Sequence, residues 1–182
     1  MRQSLIFLAA MLLASCLSDS GQSGTVTMVP HPAVDRPATL DPAAAAAIIS
    51  AYRKSNGLPP VTLDPKLMKI AAAQAKKMAA SNSLSHGNFP RRLSAGGYDA
   101  AVAAENIGAG YHNLNEAFAG WRASSHHRAN MLKKDVTKMG IAVAYNKSSK
   151  FKDFWSLVLA RPDEPRPDGG PTAGPPAGIT LQ

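Results

Sequence analysis

Residues 121–132 read WRASSHHRANML. Taken with Leu84-Ser85-His86 and Ala104-Glu105-Asn106-Ile107 upstream, this stretch decides how the chain is read. The three segments supply two imidazoles and one carboxylate: His86, Glu105 and His127. His86 and Glu105 stand 19 residues apart, and Glu105 and His127 stand 22 apart. Neither interval resembles the i, i+4 spacing by which one helix face presents two metal ligands. Only a tertiary fold can gather them into one polar cluster.

The flanking sequence supplies the elements of such a fold. Asp41-Pro42 offers an N-cap followed by proline at the first helical position, opening a helix that runs to about Ser55 and stops at Asn56-Gly57. Asp64-Pro65 repeats the device for a longer helix ending near Asn82. Within it Leu67, Ile70, Ala71, Gln74, Ala75 and Met78 fall at near-helical spacing, so His86 lies just past its C-terminus. A third helix includes Leu114, Ala117, Phe118 and Trp121, whose aromatics read as core. Lys138 to Tyr145 alternates large side chains with Gly140, Ala142 and Ala144, which is strand patterning. Phe154 to Ala160 is continuously apolar, as in a strand covered on both faces, and Val102 to Ala109 reads as another strand. The expected class is α+β, a small sheet flanked by helices.

These segments, with AYRKSNGLPPVTLDPKLMKIAAAQAKKMAASNSLSH ahead of them and KMGIAVAY and FWSLVLA behind, resemble the bacterial single-domain branch of the CAP superfamily (cysteine-rich secretory, antigen 5 and pathogenesis-related 1 proteins) from about Leu40 to Arg161. The resemblance implies a three-layer α-β-α sandwich. It also implies a cavity lined by two histidines and two acids. His86 matches the first histidine, Glu105 the first acid and His127 the second histidine; the second acid is replaced by Ser124, as in the Ser-x-x-His-Arg-x-Asn pattern of that branch. The implied ligand-binding set is therefore His86, Glu105, Ser124 and His127. Two imidazoles and one carboxylate suit Zn²⁺ or another transition metal better than a hard cation. The same three groups equally suit a hydrogen-bonded network that satisfies buried polar atoms. His126 points elsewhere than its helical neighbour His127; His112 has no motif support, and His31 lies in a tether. Ser124 also suits the cap of a short helix starting at Ser125, with Arg128 and Asn130 securing the loop.

Residues 1–15, MRQSLIFLAAMLLAS, carry one arginine before an apolar run, the pattern of a secretory signal peptide. The run is too short for a membrane span, which needs about 20 residues. Leu13-Ala14-Ser15-Cys16 resembles a bacterial lipobox, and Cys16 is the only cysteine, so lipidation of its thiol accounts for an otherwise unpaired group. Two or three acyl chains would hold the protein on a membrane where one would not. An ordinary cleaved signal peptide and a released protein are the alternative. Residues 16–40 form the lipidated Cys and a flexible tether, 41–161 the folded domain, and 162–182 a Pro/Gly-rich tail expected to be disordered. The expected location is the bacterial cell envelope. Leu17, where some inner-membrane lipoproteins carry Asp, favours the outer membrane, facing the periplasm.

Between Asp41 and Arg161 the domain holds 17 lysines and arginines against 7 acids, net +10. That field favours an anionic envelope glycan or lipid headgroup, or it is simply a solvated basic face. The cations are spread without a clustered block, so no nucleic-acid partner is expected, and the chain is expected to be a monomer. No Gly-x-Ser-x-Gly elbow is present. Metal-assisted hydrolysis would ask Glu105 to serve as both ligand and base. The expected function is therefore a non-catalytic binding module for a metal, lipid, glycan or peptide. The alternatives are a metal-dependent hydrolase using His86, Glu105 and His127, and a structural cell-wall protein.

Overall fold

Helix starts follow cap chemistry. In the computed structural model, which describes residues 36–163 and 179–181, the Asp41 carboxylate accepts from the Ala43 N–H at 2.8 Å and opens α1 (Pro42–Ser55). A two-residue β1 (Thr62–Leu63) follows. Asp64 then accepts from the N–H groups of Lys66 and Leu67 to open α2 (Pro65–Ser81), which ends on Asn82 in the left-handed conformation, φ 50°. The remaining elements are α3 (Phe89–Ala95), β2 (Ala100–Ala109), α4 (Leu114–Ala123), α5 (Ser125–Met131), β3 (Lys138–Tyr145), β4 (Asp153–Pro162) and β5 (Ile179–Leu181).

The five strands form one sheet in the order β1-β3-β4-β2-β5. β4 is central and pairs antiparallel with both β2 and β3, while β1 and β5 add parallel to β3 and β2. One face carries α1, α4 and α5, through Ile49, Trp121 and Met131 packed on Met139, Ile141 and Trp155. The other carries α2 and α3, through Leu67, Ile70, Phe89 and Leu93 packed on Ala103, Val158 and Ala160. This is the three-layer α-β-α sandwich expected from the sequence.

The alternation along β3 has a packing reason. Met139 and Ile141 enter the α1/α4 core, whereas Gly140 and Ala142 face α2, whose own contact surface includes Ala71 and Ala75. At Gly140 the approach is so close that an added Cβ would overlap the Leu67 carbonyl and the Met68 nitrogen. The α2 backbone itself therefore lies against the strand.

Two buried ionic groups pin loops to this frame. Arg53 is fully buried, and its guanidinium donates to the carbonyls of Pro59, Met131, Lys133 and Val136 at 2.8 to 3.1 Å. Burial lowers its pKa. Carbonyl dipoles supply the compensation that an acid would otherwise provide. Asp153, at the start of β4, accepts from the Ala38 N–H at 2.9 Å and lies 3.7 Å from His112 Nδ1. Burial raises its pKa, opposed by the Ala38 hydrogen bond and by His112.

The structure adds three elements to those read from the sequence. β1 is too short to show periodicity, and α3 is a seven-residue helix capped by Asn88. The stretch 162–182, read as a disordered tail, holds four strand positions: Pro162 closes β4, and Ile179, Thr180 and Leu181 align with Ala103, Ala104 and Glu105 as β5. The Pro/Gly composition that argued for disorder is concentrated in 164–178, while Ile-Thr-Leu has the β-branched character a strand edge accepts. The signal peptide, Cys16 and residues 17–35 of the tether lie outside the described residues. Among those that are described, no helix is long and apolar enough to cross a membrane.

Gly140→Ala should force α2 off the sheet and cost about 3 kcal/mol or more. Urea unfolding of both proteins checks it, with a variant as stable as wild type as the contrary result.

Candidate functional site

His86 reaches the sheet because the chain leaving α2 is held at both ends. The Ser83 N–H bonds back to the Met78 carbonyl at 3.1 Å, the Gln74 side-chain amide donates to the Ser85 carbonyl, and Arg92 Nη1 donates to the His86 carbonyl at 2.8 Å. Gly87 takes φ 55°, a conformation costly for other residues, and lets the chain turn into α3. Gln74 occupies an otherwise apolar helix stripe and is 1% exposed. Its role is to anchor this loop.

Glu105 meets the loop from β2. It is fully buried, and its carboxylate is shared three ways: Oε2 lies 2.8 Å from His86 Nδ1, while Oε1 takes Arg92 Nη2 at 2.5 Å and the Ser156 hydroxyl at 3.4 Å. A lone carboxylate in this position would be very costly, so the guanidinium and imidazole are what make its burial tolerable. Arg92 is in turn steadied over the Phe89 ring at 5.3 Å. The Nδ1 contact with the carboxylate fixes the orientation of the His86 ring. The His86 side chain is 19% exposed and that of Arg92 16%, so both reach the surface while Glu105 does not.

Asn106, the next residue on β2, projects to the opposite face. Its Nδ2 donates to the His127 carbonyl at 3.0 Å, and its Oδ1 accepts from Asn130 Nδ2 at 2.9 Å; Asn130 also donates to the Glu105 carbonyl at 3.2 Å. Adjacent strand residues point to opposite faces, so the Glu-Asn pair clamps a helical layer on each side of the sheet. His127 is thus held by its backbone on the α5 side. Ser124, 6% exposed, is the N-cap of α5 and accepts from the His127 N–H at 3.4 Å. This is the cap expected for a helix starting at Ser125, and Arg128 and Asn130 brace the loop.

Of the sequence-derived set, the structure joins His86 and Glu105. Among the described residues no group of three His, Cys, Asp or Glu side chains is placed to hold a metal ion. Of the expected Zn²⁺ set, His86 and Glu105 are in contact, and His127 reaches the same strand from the α5 layer through its backbone carbonyl. Arg92, which sequence reasoning missed, places a fixed positive charge on one Glu105 oxygen. The Asn88 cap and Pro90 mark a short helix in the sequence, but nothing there shows that Arg92 faces the sheet. Ser156, inside an apolar run, gave no signal either. A second pair, His112 and Asp153, also emerged only from the fold.

A family model described as the cysteine-rich secretory protein family, CAP, matches residues 47–159. The chain belongs to this family. The uncharacterized membrane protein YlbC of Bacillus subtilis is 30% identical over 101 residues, covering 53% of this chain and 29% of that protein. The chain thus spans under a third of that relative's length. An extracellular protein containing a SCP domain from Bacillus anthracis superposes with a TM-score of 0.60 at 26% identity, over 66% of this chain and 40% of that one. An outer surface protein of Borrelia burgdorferi gives 0.58 at 19% identity, over 66% and 91%, which is a likeness of fold alone.

Arg92→Met should leave the buried Glu105 carboxylate without its guanidinium and cost about 2 to 4 kcal/mol. Adding Glu105→Gln should recover part of that loss. Denaturant titration of the single and double variants measures the coupling, and strictly additive losses would show that the pair is not energetically linked.

Proposed function

We propose that this protein is an exported CAP-domain binding module held on the bacterial cell envelope through lipidated Cys16, and that it binds an anionic envelope glycan or lipid headgroup at the His86–Arg92 side of the domain. The observation that carries this reading is the state of Glu105. Both of its oxygens are engaged by His86, Arg92 and Ser156, so it is committed to positioning rather than to ligating a metal or acting as a base. What the site offers outward is the partly exposed edge of an imidazole fixed by its Nδ1 contact, beside a guanidinium whose Nη1 and Nη2 already donate to the His86 carbonyl and Glu105, on a domain of net charge +10. Those groups favour acidic or oxygen-rich ligands. A metal-dependent hydrolase on His86, Glu105 and His127 is the weaker reading, because Arg92 competes for the carboxylate such a site would need.

Export is supported by the signal-like N-terminus and by the similar proteins, one a membrane protein, one extracellular and one on an outer surface. The anchor is tested by fractionation: Cys16→Ala should move the protein from membranes to the soluble fraction or leave it unprocessed, and a correctly cleaved variant still on the membrane contradicts the anchor. The site is tested by co-sedimentation with purified peptidoglycan and with vesicles rich in anionic lipid, at low and high salt. Binding should survive high salt and fall about tenfold in His86→Ala. Binding that is abolished by salt and indifferent to His86 would reduce the interaction to diffuse surface charge.

A further inference from the structure

β2 is an edge strand completed by the chain's own C-terminal segment. Over its whole length it pairs with β4 on one side, from Ala100 opposite Pro162 to Ala109 opposite Phe154. On the other side only three residues are paired, Ala103, Ala104 and Glu105, by Ile179, Thr180 and Leu181 in parallel register. At the end of that window and past it side chains take over: the Glu105 carbonyl accepts from Asn130 Nδ2 at 3.2 Å and the Ile107 carbonyl from Trp121 Nε1 at 3.2 Å. The edge is thus a short slot, closed at one end by α4 and α5 and filled by a strand that ends level with Glu105.

The connection to that strand is much longer than its path requires. β4 ends at Pro162, opposite Ala100, and β5 begins opposite Ala103, so the ends to be joined lie at the same end of β2. The 15 residues 164–178 between them include five prolines and four glycines. Their contour reaches about 50 Å, several times the few ångströms of strand axis that separate the two levels. With this much surplus length, the span between the two strands does not by itself dictate where β5 sits; the three residue pairs do. Parallel pairing over three residues adds little stability of its own.

We infer that the 103–105 edge of β2 is a strand-addition site for an extended peptide of a partner protein, which β5 occupies in cis. Main-chain hydrogen bonds to an exposed sheet edge are a general mode of peptide recognition. The internal occupant shows the form the edge accepts: an extended segment with an apolar, polar, apolar sequence like Ile-Thr-Leu, running parallel to β2. Such a peptide lies alongside the strand that carries Glu105. It does not depend on His86, which separates this inference from the envelope-ligand reading above.

The test uses the full chain and a fluorescently labelled synthetic peptide of sequence AGITLQ, copied from residues 177–182, with a control peptide carrying proline in place of its threonine. Thr180→Pro should weaken β5 without touching the core. The variant should bind the labelled peptide at least about tenfold more tightly than wild type by fluorescence anisotropy, the control should not bind, and His86→Ala in the variant background should leave the affinity unchanged. Amide hydrogen exchange at Ala103 and Glu105, the two that face β5 rather than β4, should be slow in wild type, fast in the variant and slowed again by the peptide. Equal peptide binding by wild type and variant, binding of the proline control, or unchanged exchange at these amides would overturn the proposal. Concentration-dependent dimerisation of wild type through β5 would assign the edge to a second copy and overturn it as well.

Discussion

Everything on one side of this molecule depends on how closely the backbone of α2 approaches β3. Gly140 leaves no side chain between strand and helix, and Ala71, Ala75 and Ala142 continue the small surface above and below. Close packing of this kind gains dispersion contacts along the whole interface and tolerates no added volume. It also fixes where α2 stops. The left-handed turn at Asn82 and the short connection that follows can then bring His86 to the sheet only at the level of Glu105, where it meets a carboxylate rather than the apolar strand around it.

The carboxylate sets the next constraint. A fully buried acid in the middle of a strand is an expensive choice, and the fold offsets it with donors from three elements: His86 before α3, Arg92 within α3 and Ser156 on β4. The same strand turns Asn106 the other way, where it fastens α5 by the His127 carbonyl and by Asn130. Two adjacent polar residues therefore tie both outer layers to one strand. This gives the Glu-Asn pair an architectural role in this chain that stands whether or not the site also binds a ligand, since buried hydrogen-bonded polar groups specify which layers meet and in what register.

Arg53 does a comparable job at the far end of α1. It gathers the carbonyls of the loop between α5 and β3 around one guanidinium, so that loop order comes from a single side chain. In the sequence this residue sits in a helix whose basic last turn, Arg53-Lys54, suggests only the usual complement to a helix C-terminus. Burial turned it into a core residue.

The sequence by itself determined the elements with strong local signatures. Asp-Pro caps started α1 and α2 where expected, the buried stripe of α2 is the one its spacing described, and the alternation from Lys138 to Tyr145 is β3 to the residue. These signals are local because capping, helical periodicity and strand alternation involve neighbours within a few positions. The resemblance in the His86, Glu105 and His127 segments carried the layer order. What only the tertiary structure decided is which side chains meet: that Arg92 and Ser156 share the Glu105 carboxylate, that Glu105 and Asn106 face opposite layers, and that Ile179–Leu181 returns to the edge of β2. Such encounters depend on helix rotation and strand order, which are set by packing across the whole domain and leave no periodic trace along the chain.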